Sequence, residues 1–158
     1  MRTRMPILLT TAAVAAAAIA PAEAAAVKQF RGKTDQNRTI KLTIGDDNLL
    51  QSASVNWFTR RCSQPGSRFQ HRTAFRRPFD ESTPDLFRDA GPFTVADTGG
   101  IRSRVRITLT GQRVVDPADP AAESWKGKLR ATVVVRRRGK VIDRCTRRTL
   151  GWTATLVG

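Results

Sequence analysis

The stretch "IRSRVRITLTG", at positions 101–111, alternates apolar and basic side chains. One face carries Ile101, Val105, Ile107 and Leu109, and the other carries Arg102, Arg104 and Arg106. A period of two with a single apolar face is typical of an antiparallel strand that covers a core on one side. This stretch therefore predicts an all-β protein with arginines on an outer surface.

The same alternation recurs along the chain, in "RTIKLTIG" (38–45), "LLQSASVNWF" (49–58), "KLRATVVV" (128–135) and "LGWTATL" (150–156). Turns separate these stretches: "GDDN" (45–48), and "RRRGK" (136–140), where Gly139 can adopt positive φ. We predict six to nine short strands in an antiparallel β-sandwich, immunoglobulin-like or jelly-roll-like. The three tryptophans are expected in or beside its core: Trp57, Trp125 and Trp152.

Two segments lack the alternation. "DPADPAAES" (116–124) is rich in turn residues, and the segment 63–92 is interrupted by several prolines. Within the second, Thr83 is a candidate N-cap, Pro84 suits a first helical position and Gly91 suits a stop. We expect one short helical turn there.

The N-terminus has the three parts of a secretory signal peptide. Basic residues in "MRTRM" precede the apolar run "ILLTTAAVAAAAIA" (7–20), and small residues follow in "PAEAAAV". The run is shorter than the roughly 20 apolar residues that span a membrane. We predict a cleaved signal peptide at 1–26, a secreted single domain at 27–158, and no stable membrane insertion after cleavage.

The charge balance is strongly basic. The formal net charge is +15, and it is +14 without residues 1–26, which contain Arg2, Arg4 and Glu23. Such a surface attracts polyanions such as nucleic acid, cell-wall polyanions or acidic polysaccharide. An arginine-rich, alanine-rich and lysine-poor chain is also what a GC-rich genome encodes, so composition alone leaves both explanations open.

Two arginine groups are candidate polyanion contacts. The first group is expected on one strand face, about 6.7 Å from one residue to the next: Arg102, Arg104 and Arg106. The second group is expected at the tip of a hairpin: Arg136, Arg137 and Arg138. In "AFRRPF" (74–79), aromatic residues flank two further arginines, a combination used for single-stranded nucleic acid. The alternative is a solvated face on which charge keeps strand edges from pairing.

The two cysteines are expected to form a disulfide between Cys62 and Cys145, because an even number in an exported chain favours a bridge. Strict alternation puts Trp57 and Cys62 on opposite faces, and a bulge or strand end at 59–61 would resolve this. A catalytic cysteine needs a base, for which the chain offers only His71. Two cysteines and one histidine are too few for a zinc site, so no metal, cofactor or catalytic residue is predicted.

The acidic residues at 80–89 give the alternative functions. Asp80, Glu81, Asp85 and Asp89 lack the regular oxygen-ligand spacing of a calcium loop. Two of them could meet as the carboxylate pair of a small secreted hydrolase. More ordinary roles are acids at a helix start and ion pairs with nearby arginines.

The C-terminal segment resembles a known group of proteins. "GKLRATVVVRRRGKVIDRCTRRTLGWTA" (127–154) is similar to the closing segment of small secreted β-sandwich proteins, largely uncharacterised, from high-GC Gram-positive bacteria. "FRGKT" (30–34), "VNWFTRRC" (55–62) and "GPFTV" (91–95) resemble earlier parts of the same group. The resemblance implies secretion and a sandwich with one disulfide, and it implies no reaction or ligand.

We therefore expect a secreted, monomeric, noncatalytic cationic domain that binds an anionic polymer or surface. The alternatives are a small secreted hydrolase with carboxylates in 80–89, and a structural or protein-binding exoprotein.

Overall fold

The structure, a computed structural model, describes residues 26–157. The predicted signal peptide lies outside these residues except for Ala26. The strands are β1 (Lys28–Thr34), β2 (Thr39–Ile44), β3 (Leu50–Phe58), β4 (Arg61–Cys62), β5 (Gln70–Arg76), β6 (Glu81–Ser82), β7 (Leu86–Ala96), β8 (Ile101–Asp116), β9 (Asp119–Arg137) and β10 (Lys140–Leu156).

The strands form one antiparallel sheet. Its order is β5-β3-β2-β1-β10-β9-β8-β7-β6, and β4 pairs with β10 beside this path. The sheet curls around one core, so the all-β antiparallel class is confirmed. Because the pairing is continuous from β5 to β6, a division into the two sheets of a sandwich is not confirmed.

The apolar face of each alternating strand forms the core. Ile40 and Leu42 of β2, and Val105 and Leu109 of β8, are almost completely buried. All three tryptophans are also buried, as expected. Burying a large apolar side chain stabilises a fold by about 1.5–3 kcal/mol, so these inward faces determine which way each strand turns its polar face.

Aromatic side chains join the two ends of the curled sheet. His71 on β5 lies 5.2 Å from Phe93 on β7, measured between ring centroids, and it stacks on Phe69 at 6.0 Å. The strands β5 and β7 are not hydrogen-bonded neighbours. Side-chain packing therefore closes the core where backbone pairing is interrupted.

The segment 83–91 corrects the helix prediction. Residues 83–85 form the turn after β6, and residues 86–91 belong to β7, which pairs with β8 over its whole length, from Leu86 opposite Gln112 to Ala96 opposite Arg102. The segments 63–92 and 116–124 are also less irregular than expected, because β5 and β6 lie in the first and β9 begins at Asp119. Pairing along β8 outweighs the local preference for a helix start.

A break between β3 and β4 explains the relation between Trp57 and Cys62. β3 ends at Phe58 and β4 begins at Arg61, so the predicted strand end is present. Trp57 stays in the core, and Cys62 lies directly opposite Cys145 of β10.

Candidate anion-binding face

The candidate site is the outer face of β8 and β9. The side chains of Arg102, Arg104 and Arg106 are exposed and alternate with the buried residues Ser103, Val105 and Ile107. Arg136 lies opposite Arg102 in the antiparallel pair, so its side chain emerges on the same face. Four of the six predicted arginines are thereby brought together.

The other two predicted arginines occupy the tip of the β9–β10 hairpin. Arg137 pairs with Ile101, which places its side chain on the opposite side of the sheet from Arg136. Arg138 has φ 49° and Gly139 has φ 82°, and the Arg138 backbone N–H donates to the Gly100 carbonyl at 3.3 Å. The tip is cationic, but these two residues do not extend the face of Arg102 and Arg104.

Three further cations on this face were not selected from the sequence. Lys126, Lys128 and Arg130 are exposed and project outward from β9. Their alternation with Leu129 and Ala131 is visible in the sequence, but their position on the face of Arg106 depends on the register. In this register Thr132 lies opposite Arg106, and Arg130, Lys128 and Lys126 lie opposite Thr108, Thr110 and Gln112. Hereafter the basic face means these three residues together with Arg102, Arg104, Arg106 and Arg136.

Acidic side chains are absent from the basic face within the described chain. The outward positions of β8 from 102 to 112 hold arginine, threonine and glutamine, and those of β9 from 124 to 136 hold serine, lysine, arginine, threonine and valine. The ion pairs of the described residues lie elsewhere: Lys28–Glu123, Arg77–Asp47, Arg88–Asp80, Arg113–Asp85 and Arg113–Glu123. The cations of the basic face therefore have no carboxylate partner there.

A second basic region lies at the disulfide end of the molecule. The guanidinium carbons of Arg38 and Arg68 lie 5.6 Å and 5.0 Å from the ring centroid of Phe58. An open groove of about 1040 Å³ runs past this ring and is also lined by Arg60 and Arg61. Within the described chain, Phe58 is the one aromatic ring that has arginine guanidinium groups over its face, which is a cation–π arrangement.

The aromatic residues of "AFRRPF" (74–79) do not form an exposed surface on which bases could stack. Phe75 is buried, and the ring of Phe79 packs 6.3 Å from that of Phe87. Arg77 donates to Asp47 at 2.7 Å and to the Leu50 carbonyl at 3.0 Å. These side chains serve packing and an ion pair, so the expectation of base stacking at 74–79 has no support in the geometry.

The disulfide between Cys62 and Cys145 is confirmed, with Cα atoms 3.9 Å apart. Asp143 lies beside it, and the three donor atoms fall within 4.8 Å of one another. Because both sulfurs are bonded to each other, neither is a thiolate that could ligate a metal or attack a substrate. The group is a structural staple, and His71 belongs to the aromatic contacts between β5 and β7.

Asp143 anchors the loop after Cys62. Its carboxylate accepts hydrogen bonds from the backbone N–H of Ser63, Gln64 and Arg144, and from the hydroxyls of Ser63 and Ser67. Burial on its own would raise the pKa of this carboxyl, but these hydrogen bonds outweigh it and lower the pKa from 3.8 to about 2. The carboxylate is thus a charged structural acceptor.

Two of the carboxylates at 80–89 are held in ion pairs. Asp80 accepts from Arg88 at 3.2 Å, and Asp85 lies 3.6 Å from Arg113. Burial and the nearby charge of Asp80 raise the pKa of Asp89. The ion pairs of Asp80 and Asp85 with arginines match the ordinary role considered for these carboxylates in the sequence.

Comparisons of the chain with family models, with curated proteins and with solved structures found no match. Among the described residues, no helix is long and apolar enough to cross a membrane.

Proposed function

We propose that the protein is a secreted, noncatalytic binding protein for an anionic polymer outside the cell, and that the basic face contacts the polymer. The observation that carries this proposal is the set of seven cations on β8 and β9 with no carboxylate among the outward residues beside them. Neighbouring arginines along β8 are about 6.7 Å apart. This spacing is shorter than the Debye length of about 8 Å at physiological salt, so their repulsion is only partly screened.

The position of these strands argues against a purely protective role for the charge. Charged residues on edge strands prevent unwanted pairing, but the edges of this sheet path are β5 and β6. β8 and β9 are both paired on two sides, and Arg102 lies directly opposite Arg136. Like charges at opposed positions destabilise a sheet. A bound polyanion offsets this cost.

Three features support secretion. The predicted signal peptide at 1–26 and the resemblance to secreted proteins both point to export. The Cys62–Cys145 disulfide fits an oxidising compartment. A monomeric state stays a prediction.

A depression at another part of the molecule favours a second candidate, the binding of a protein partner. It has a volume of about 740 Å³ and is lined in part by Val114, Val115 and Leu156. Val115 and Leu156 are each 39% exposed, so this depression presents apolar surface to solvent, and exposed apolar patches are typical of protein interaction sites. Val115→Asp would weaken a partner that binds there and leave polymer binding unchanged.

The test of the main proposal is polymer binding across a salt series. The protein is titrated with nucleic acid, a wall-type phosphate polymer and an acidic polysaccharide, and log Kd is plotted against log salt. Replacing Arg102, Arg104 and Arg106 with glutamine should make the slope shallower by roughly 0.9 for each lost contact to double-stranded DNA, and by a similar amount for other dense polyanions.

A matched control separates the basic face from net charge. The triple variant Arg31→Gln, Lys41→Gln, Arg72→Gln removes the same charge from exposed positions on β1, β2 and β5. We expect it to keep the original slope. Equal slopes for the two triple variants, or loss of all three polymers below physiological salt, would show that the charge is not organised into a site.

A further inference from the structure

Two depressions lie on the outer face of β8 and β9. The first has a volume of about 490 Å³ and is lined by small residues of β7, by Thr108 and Thr132, and by Arg106 and Arg130. The second has a volume of about 440 Å³ and is lined by Thr110, Gln112, Lys126 and Lys128 around two glycines. Each depression thus pairs two cations with small polar side chains.

The two depressions follow the same pair of strands. Thr108 of the first and Thr110 of the second are successive outward residues of β8, and Arg130 and Lys128 are successive outward residues of β9. The path from Arg102 to Gln112 spans roughly 33 Å at the strand rise of about 3.3 Å per residue. The face is therefore a track along the strands, with cations repeated along its length.

The chemistry of this track is that of phosphate recognition. Guanidinium groups bind phosphate or carboxylate oxygens through two parallel hydrogen bonds, and the threonine hydroxyls can donate to further oxygens. Arg106 and Arg130 lie at diagonal positions across the strand pair, so they approach the first depression from opposite sides. A single backbone phosphate between them can contact both.

Aromatic side chains are missing from the outward positions of this track in the described chain. The outward residues of β7, β8 and β9 include no phenylalanine, tryptophan or histidine; Phe87 and Phe93 of β7 and Trp125 of β9 face inward. Proteins that bind single-stranded nucleic acid stack its bases on aromatic rings. The track can contact backbone charges but offers no platform for rings.

We propose that the ligand of the basic face is a linear, ring-free chain with phosphate groups in its own backbone, bound lengthwise along β8 and β9. This inference rests on the proposed function and names the class of polymer. Charge density, arginine geometry and the lack of stacking surfaces all favour such a chain over a nucleic acid or a sugar polymer.

The experiment is a titration of the disulfide-intact protein with inorganic polyphosphate of graded length at physiological salt. The affinity of each protein molecule for polyphosphate should rise with the length of the polyphosphate until the polymer covers the roughly 33 Å track, and then level off. The double variant Arg106→Gln, Arg130→Gln should weaken binding of a full-length chain on the order of tenfold or more. The control Lys41→Gln, Arg72→Gln should bind nearly as the unmodified protein does. All four positions are exposed, and equal thermal unfolding curves confirm that the variants are folded.

Two comparison ligands make the outcome decisive. A single-stranded oligonucleotide and a linear polycarboxylate, each with the same number of charges, should bind more weakly than polyphosphate. Tighter binding of either one, or an affinity that grows without levelling, would overturn the ring-free phosphate chain while leaving polymer binding by the basic face intact. Failure of every polymer at physiological salt would overturn the proposed function as well.

Discussion

Asp143 accepts two hydrogen bonds from Ser63, one from its backbone N–H at 2.9 Å and one from its hydroxyl at 2.6 Å. Ser63 directly follows Cys62, and Asp143 is two residues from Cys145 on β10. The same two chain segments are thus held together twice, once covalently and once by a buried carboxylate. The loop that leaves the disulfide depends on both.

Acid should weaken this second link. The folded pKa of Asp143, about 2, is below its usual value of 3.8, so the carboxylate contributes its full stability above pH 4 and loses it as the pH falls towards 2. Asp143→Asn should lower the unfolding free energy by about 1.5–3 kcal/mol at neutral pH, because a charged acceptor is lost. Denaturant unfolding at several pH values measures the difference between the two proteins, which should shrink between pH 4 and pH 2. A difference that stays constant down to pH 2 would contradict this role.

Removal of the disulfide should cost more. The bridge closes a loop between residues 83 positions apart, for which the chain-entropy relation gives about 4–5 kcal/mol. Cys62→Ser with Cys145→Ser should lower the unfolding free energy by several kcal/mol, measured by chemical denaturation. The double variant leaves no free thiol, so the result is not affected by oxidation. An unchanged denaturation midpoint would show that the disulfide does not stabilise the fold.

Two opposed glycines make room for aromatic rings in the core. Gly111 of β8 pairs with Gly127 of β9. A β-carbon at Gly111 would collide with the ring of Phe87, and one at Gly127 would collide with the backbone carbonyl oxygen of Thr110 and with the ring of Trp152. Gly127→Ala should destabilise the protein by about 1–3 kcal/mol or more through overpacking. Gly91→Ala is the matched control, because a β-carbon at Gly91 of β7 meets no atom within 4 Å. Equal thermal unfolding of the two variants would show that β8 and the ring of Trp152 can shift to accommodate the methyl group at position 127.

His71 should make the unfolding free energy sensitive to mild acid. The Thr73 hydroxyl accepts from Trp57 Nε1 at 2.9 Å, which leaves its own proton free to donate to Nδ1 of His71 at 3.1 Å, and this needs a neutral imidazole. Burial lowers the pKa of His71 below 6.5, so the unfolded chain takes up the proton first as the pH falls through 6.5. The unfolding free energy should therefore decline between pH 7.5 and pH 5.5. His71→Phe, which retains a ring between Phe69 and Phe93, should lack this decline, and an identical decline in the variant would assign it to other groups.

The sequence predicted the faces of the strands better than their partners. Alternation correctly placed Leu42, Val105 and Leu129 inside and Arg104 outside, because burial imposes a strict period of two on a sheet with one solvated face. It could not show that Arg136 lies opposite Arg102, since register depends on long-range pairing. Arg130 was missed for the same reason.

The helix prediction at 83–91 failed although its local signal is real. Thr83 Oγ1 does accept hydrogen bonds from the backbone N–H of Asp85 and Leu86, at 3.4 Å and 3.2 Å, as an N-cap would. The capping chemistry inferred from the sequence is therefore present. The chain continues as a strand because β8 supplies pairing partners from Leu86 onward, which no local pattern could reveal.

The pairing of β1 with β10 constrains the order in which the chain can fold. β1 pairs with β2 on one side and with β10, the last strand, on the other, and Cys145 lies on that same last strand. A chain that emerges with its N-terminus first can form the β1–β2–β3 meander early, but it must keep Phe30 and Trp57 from aggregating until residues 140–156 have followed. Completion of the sheet and formation of the disulfide both require β10, so neither event can precede the arrival of residues 140–156.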